Sequence, residues 1–192
     1  MDNKEQKAQL RREALARRDA LDAGYRERAS CMAAGHDTGI PFTPGAVISG
    51  FWPIRSEIDP RPLLSVLHER GARLCLPVVL DRETIVFREY VPGAPMIETG
   101  FGTRGPGLDA ALIDPDIMLV PLAAFDAHGG RIGYGAGHYD RAIARMAERN
   151  IVPVLIGLAF DAQEVAQVPQ EPHDIKLSQI LTESGLRAVG SA

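Results

Sequence analysis

Cysteine is scarce: Cys31 and Cys75 are the only two, far apart and in no Cys-x-x-Cys pattern. That excludes a disulfide framework and a cysteine-built zinc site, and it fits a reducing compartment. Positive charge is not in excess either. With a formal net charge of −4, the overall basic balance of a nucleic-acid binder is missing, although local basic patches stay open. No apolar run reaches the roughly 20 residues that a membrane-spanning helix needs. The charged start, "MDNKEQKAQLRREALARRDALD", lacks the apolar segment of a secretory signal. Tryptophan occurs once, as Trp52, and no Ser-His-Asp or nucleophilic cysteine arrangement can be read out. What is present is an ordinary balance, 45% hydrophobic and 24% charged over 192 residues. Such a chain buries a real core, and the expectation is one cytoplasmic domain over 1–192, monomeric, with no nucleic-acid or membrane partner.

The pattern along the chain predicts an α/β fold with a mainly parallel sheet flanked by helices. Residues 3–22 read as a helix, with Leu10, Ala14 and Leu21 on a narrow apolar stripe. Lys4, Lys7, Arg11 and Arg18 fall on a neighbouring line, so the basic residues flank the buried edge instead of opposing it. A second helix is expected over 24–36. Then "GAVISGFW" reads as a buried strand. In "RSEIDPRPLLSVLHERGA", Asp59 is expected to cap a helix that starts with Pro60 and stops before Gly71. "RLCLPVVL" and "TIVFREYV" are the next strands, which makes strand, helix, strand a right-handed crossover. Residues 92–116, rich in Gly and Pro, read as a long excursion ordered over a site. "IMLVPLAAF" (117–125) is the best candidate for the sheet centre. A helix over 138–149 and the strand "IVPVLIGLAF" follow.

The segment between that central strand and the helix is "RIGYGAGHYD", residues 131–140, with Gly133, Gly135 and Gly137 at alternate positions. Glycine tolerates positive φ, so successive N–H groups can line one concave nest, and the helix behind adds its positive end. Arg131 adds a fixed charge. Asp140, in the first helical turn, can hold Mg²⁺ or merely complement the helix dipole. The loop is neither a Walker A nor a GxGxxG, so spacing leaves phosphate cradle and close-packing turn both open. Glu57 and Trp52 lie just past the carboxyl end of a strand, where ligands of open α/β sheets bind. Taken singly, each is equally a solvated carboxylate and a core aromatic. Asp174 reads as a turn cap. His138 and His173 read as hydrogen-bonding residues, and Cys75 as core.

Together, "KAQLRREALARRDAL", "GFWPIRSEIDP", "LCLPVV", "IMLVPLAAFDAHGGRIGYGAGHYDR" and "PHDIKLSQILTE" resemble, in order and spacing, the 5-formyltetrahydrofolate cyclo-ligase family. The resemblance implies a sandwich similar to ribose-phosphate isomerase and CoA-transferase folds. It implies an ATP- and Mg²⁺-dependent closure of 5-formyltetrahydrofolate to the 5,10-methenyl form through a phosphorylated formyl group. It implies that Lys7 and Arg11, helped by Lys4, contact ATP phosphates, and that Arg131, Ile132, Gly133, Tyr134, Gly135, Ala136, Gly137, His138 and Tyr139 form the nucleotide loop. Tyr134 to His138 would also border folate, with Trp52 and Glu57. Arg131 and Glu57 would serve catalysis, and Asp140 and Asp174 would ligate Mg²⁺. Besides Ala136, where some members carry a lysine, two stretches depart from the family pattern: Ser178 replaces an aspartate, and 102–106 reads "GTRGP" in place of "GIPEP". They raise an alternative, a relative that binds folate or nucleotide without turnover or acts on another formyl or amide compound.

Overall fold

The computed structural model describes residues 2–100, 102–171 and 174–189; His173 lies outside them. The chain runs α1 (Asn3–Asp19), α2 (Ala23–Ala34), β1 (Val47–Ser49), α3 (Arg61–Glu69), β2 (Arg73–Val79) and β3 (Ile85–Tyr90). It continues through β4 (Met96–Glu98), β5 (Arg104–Pro106), β6 (Ile117–Pro121), β7 (Ala124–Phe125) and β8 (Arg131–Ile132). The remaining elements are α4 (His138–Glu148), β9 (Val154–Leu158), β10 (Gln179–Thr182) and β11 (Gly185–Ala188).

Seven strands form one sheet in the order β11-β10-β9-β6-β1-β2-β3. The inner five pair in parallel, and β3 and β11 close the edges antiparallel. Side chains alternate across it, as the two-residue period of a strand demands. Ile48, Leu74, Leu76, Leu119 and Ile156 enter one core with Leu63 and Leu67 of α3 and Ala29 and Ala33 of α2. Val47, Cys75, Met118, Val120 and Leu155 enter the other, with Ile143 and Met146 of α4. Both faces are covered, so the strands read as continuous apolar runs. From β1 the chain steps through α3 to β2, and from β6 through α4 to β9, in opposite directions across the sheet. Crossovers of one hand must then put α3 and α4 on opposite faces, which is where they lie.

The expected central strand is central, but it ends at Pro121 instead of Phe125. The carbonyls of Leu122 and Ala123 accept from Gln163 Nε2 at 2.8 and 3.1 Å, so the chain leaves the sheet there. It returns as the β7–β8 hairpin, Phe125 opposite Arg131. Asp126 holds the hairpin turn, accepting from the N–H groups of His128, Gly130 and Val168. The expected stripe of the first helix holds in part: Leu10 and Ala14 pack on Ile132 and Ala124, but α1 ends at Asp19, so Leu21 lies past the helix and joins the α2–α3 core. Asp2 and Glu5 close a capping box at its start. At α3 the cap is offset by one residue from the expectation. Pro60 is the N-cap and Arg61 the first helical residue, while Asp59 Oδ1 still accepts from the Arg61 N–H at 2.9 Å. Gly50 follows β1 because a Cβ there would come within 2.4 Å of Leu64 Cδ1. The 92–116 excursion is not structureless: β4 and β5 form a hairpin that packs on β2 and β3. Among the described residues no helix is long and apolar enough to cross a membrane.

Candidate active site

Between β1 and β6 the chain's direction of travel across the sheet reverses, and crevices at such points bind ligands. A cavity of about 390 Å³ opens there. Its floor is the carboxyl end of the strands: Phe51 and Trp52 after β1, Pro77 and Val79 of β2, and Pro121 of β6. The glycine segment makes one wall with Arg131, Gly133, Tyr134, Ala136, Gly137, His138, Tyr139 and Asp140, and the β4–β5 hairpin brings Thr103 and Arg104 opposite.

The glycines make the wall possible. Gly135 (φ 99°) and Gly137 (φ 67°) occupy the left-handed region, and Gly137 is the N-cap of α4, which no side chain caps. The first turn of α4 therefore presents its amino end at the cavity rim, a disposition suited to an anion. Two arginines clamp the loop. Arg11 Nε donates to the Gly133 carbonyl at 2.7 Å from the α1 side. Arg141, unremarked in the sequence, donates to the carbonyls of Ala136 (2.7 Å) and Glu83 (2.8 Å) from the other. Ile132 is buried against α1 and does not line the cavity, and its carbonyl accepts from the Ala123 N–H at 2.7 Å, so the expectation that it contacts nucleotide is not met.

Glu57 lies on the floor beside Trp52. Its Oε2 accepts from the Ile54 N–H at 2.8 Å, and the Tyr134 side chain lines the same cavity, near enough to favour the charged carboxylate. Burial pushes this carboxyl above the ordinary glutamate value, partly offset by Tyr134, Ile54, Arg18 and Arg55. The Arg61 guanidinium stacks over the Trp52 ring at 5.0 Å, and the ring also borders a smaller cavity of about 160 Å³ with Tyr90. Burial likewise raises the Tyr139 phenol, whose hydroxyl is enclosed without a hydrogen-bond partner among the described residues. An unsatisfied buried hydroxyl costs about 1–3 kcal/mol. Tyr139→Phe is therefore expected to raise stability by about 1 kcal/mol in urea unfolding. A loss of stability would mean that the hydroxyl has a partner after all.

The basic line of α1 is split by the structure. Lys4 stays exposed, away from the cavity. Lys7 Nζ donates to Asp174 Oδ2 at 2.5 Å and Glu171 Oε2 at 3.0 Å. Burial alone would lower this ammonium, but the two carboxylates hold it above the ordinary lysine value. Arg131 donates through Nη2 to Asp140 and through Nε to the Ile175 carbonyl, the latter at 3.3 Å. Each expected metal carboxylate is thus neutralised by a cation expected to hold phosphate. Among the described residues no three His, Cys, Asp or Glu side chains gather as a metal cage. Mg²⁺, however, commonly binds through one or two carboxylates plus phosphate oxygens and water. An incoming Mg²⁺–polyphosphate would exchange cation for cation and anion for anion at these pairs, so the donor set fits the ion. Ser178 is elsewhere, at the amino end of β10, its N–H donating to the Leu155 carbonyl at 2.8 Å.

The residue that sequence reasoning misread is Arg18. It was counted with the flanking line, yet it is 2% exposed and lies beneath Tyr134. The available signal was its position four residues after Ala14, on the same face of α1.

The family profile described as "5-formyltetrahydrofolate cyclo-ligase family" matches residues 3–183. The chain is 30% identical over 186 residues to a 5-formyltetrahydrofolate cyclo-ligase of Haemophilus influenzae, covering 93% of this chain and 98% of that one. It is 32% identical over 185 residues to the Mycolicibacterium smegmatis enzyme of the same name, covering 92% and 93%. The solved structure of Aquifex aeolicus 5,10-methenyltetrahydrofolate synthetase superposes with a TM-score of 0.78 at 26% identity, covering 97% of this chain and 94% of that one.

Proposed function

From the premise that this chain belongs to the 5-formyltetrahydrofolate cyclo-ligase family, we propose that it converts 5-formyltetrahydrofolate and ATP to 5,10-methenyltetrahydrofolate, ADP and phosphate. The observation that carries the reading is the juxtaposition, in one cavity, of a glycine loop at a helix amino end with Trp52 and Glu57. One half suits a polyphosphate. The other suits a flat heterocycle with paired N–H donors, stacked on the indole and bonded to the carboxylate.

The chemistry follows from the weakness of the formyl group. An amide-like carbon is a poor electrophile, and its oxygen a poor leaving group. The formyl oxygen attacks the γ-phosphorus, the bond to the ADP oxygen breaks, and the formyl carbon becomes an imino-phosphate. The second folate nitrogen adds to that carbon and gives up its proton, the carbon–oxygen bond breaks, and phosphate departs with the original formyl oxygen and that proton. Such a transfer needs positioning and charge neutralisation, not a protein nucleophile. The loop N–H groups, Lys7, Arg11 and Arg131 orient and neutralise the phosphates. Glu57 and Trp52 fix the pterin so that the formyl oxygen faces the γ-phosphate. Tyr139 supplies a donor with no hydrogen-bond partner among the described residues. Asp140 and Asp174 would hold Mg²⁺, a hard cation that screens charge on the phosphoryl oxygens. Of the two departures that raise the alternative, Ser178 is bonded to Leu155 at the far end of the parallel strands and does not line the cavity, whereas Thr103 and Arg104 of the 102–106 stretch do line it, so another formyl or amide substrate stays the second reading.

The test is direct. Protein, 5-formyltetrahydrofolate and MgATP are expected to generate the methenyl chromophore with one ADP per product, and nothing without ATP. Absence of any ATP-dependent chromophore overturns the proposal.

A further inference from the structure

The core of the molecule contains a cation that the proposed reaction does not use. Arg18 is 2% exposed, and a guanidinium does not give up its proton inside a protein. A permanent buried charge is tolerated only when its donors are bonded and a negative charge is near. Arg18 Nε donates to Ser56 Oγ at 3.0 Å, and Nη1 donates to the Tyr134 hydroxyl at 2.5 Å. Its guanidinium also sits 5.7 Å from the centre of the Tyr134 ring. Its own neighbour Asp19 is 3.8 Å from Nε, 62% exposed, and already bonded by Ser56 Oγ. The second negative charge is Glu57, reached through Tyr134.

A tyrosine hydroxyl carries one proton and accepts at its lone pairs. Arg18, which can only donate, occupies the lone-pair side, so the phenolic proton is free for an acceptor. Glu57 is the carboxylate that lines a cavity with each of the two, one with Tyr134 and a second with Arg18. The ring of Tyr134 is meanwhile 38% exposed on the glycine loop: its body belongs to the loop wall and its hydroxyl to the buried chain. One side chain therefore joins the phosphate-loop segment to the floor carboxylate.

We propose that Arg18 is a positioning residue for the folate half of the site: it orients the Tyr134 hydroxyl toward Glu57 and so keeps Glu57 in place as an acceptor. The inference rests on the reading of Glu57 as the folate carboxylate. It separates Arg18 from Lys7 and Arg11, which lie on the same helix line but reach Asp174 and the loop carbonyl. The groups facing Glu57 are Tyr134 and Tyr139 from the loop and α4, Arg18 from α1, and Arg55 and the Ile54 N–H from its own loop. Of these, Arg18 and Arg55 are cationic, and Arg55 is exposed.

Three single variants and one double decide the matter. Arg18→Met and Tyr134→Phe are each expected to raise KM for 5-formyltetrahydrofolate at least about tenfold, leaving KM for MgATP within about twofold. In both, the acid limb of kcat/KM for folate moves to higher pH, because Glu57 loses what favours its ionised form. Arg18→Lys keeps the charge and is expected to hold that limb near its wild-type position. The double variant Arg18→Met/Tyr134→Phe should be no worse than the poorer single one, as members of one chain are not additive. Equal rises in both KM values, an unmoved acid limb, or additive losses would overturn the proposal while the wild type remained active. If Arg18→Met does not fold, Tyr134→Phe and Arg18→Lys carry the same comparison. Wild-type protein without turnover, and without quenching of Trp52 fluorescence by 5-formyltetrahydrofolate, would overturn the folate reading itself.

Discussion

Glu57→Gln is expected to lower kcat/KM for 5-formyltetrahydrofolate by roughly a hundredfold, with KM for MgATP unchanged within about twofold. One of the carboxylate's acceptor sites is taken by the Ile54 N–H and a second faces Tyr134, which leaves two for the pterin. Charge-assisted hydrogen bonds are worth about 1.5–3 kcal/mol each. Glutamine keeps one acceptor oxygen and turns an NH₂ toward the remaining donors, so the loss is near 3 kcal/mol, roughly two decades in rate. Stability is expected to move the other way. Burial raises the native carboxyl above the unfolded value and outweighs each group that lowers it. A group raised in this sense stabilises the fold below the unfolded value and loses that contribution as pH climbs through the native one. At neutral pH the charged Glu57 is thus a cost that glutamine removes. The thermal midpoint of Glu57→Gln should be no lower than wild type at pH 7, and the difference should shrink on acidification. Unchanged folate kinetics, or a fall in midpoint matching the loss of activity, would remove Glu57 from the substrate site.

How much of this was legible in the sequence depended on the range of the signal. Apolar runs such as 117–121 announced buried parallel strands because both faces are covered, and α3 announced itself by its Asp59–Pro60 start and its stop before Gly71. The place of Trp52 and Glu57 past the carboxyl end of a strand was legible too, but the switch point itself was not, because it depends on β6 lying beside β1 in the sheet. Boundaries were less readable. Nothing local in "IMLVPLAAF" says that the strand stops at Pro121, because the stop is made by Gln163, some forty residues on. Arg18 was misread for a similar reason. An arginine is ordinarily placed at the surface, and only Tyr134 and Ser56, from two distant loops, make its burial tolerable. Asp126 and Asp140 both flank the glycine-rich stretch 129–137, but the structure gives them different partners. The first has three backbone N–H groups to itself and fixes a turn; the second is held by a side chain that a phosphate can replace.

That difference sets the expectation for Asp140→Asn: turnover falls at least about a hundredfold, with only a small change in stability. Loss of a mere supporting partner of a metal ligand already costs roughly 10–100-fold, and Asp140 is proposed as a ligand itself. Structurally its side chain is 37% exposed and pairs with Arg131, whose side chain is 6% exposed. Asparagine still offers Arg131 one oxygen, and α4 loses one favourable charge in its first turn. Both losses are small at this exposure, about 1 kcal/mol together. For a chain of this length that is about 2–4 °C in Tm. Mg²⁺ titrations separate the two roles. If Asp140 helps to hold the ion, the variant needs higher Mg²⁺ for half-maximal rate, and its folate binding, followed by Trp52 fluorescence, stays intact. If Asp140 only caps α4 and steadies Arg131, activity should track the folded fraction and the Mg²⁺ dependence should not shift. The ion-pair exchange argued for Arg131–Asp140 and Lys7–Asp174 predicts one more sign. MgATP should raise the Tm of the wild type clearly more than that of Asp140→Asn, because only the wild type gives up a carboxylate to the metal as its arginine turns to phosphate.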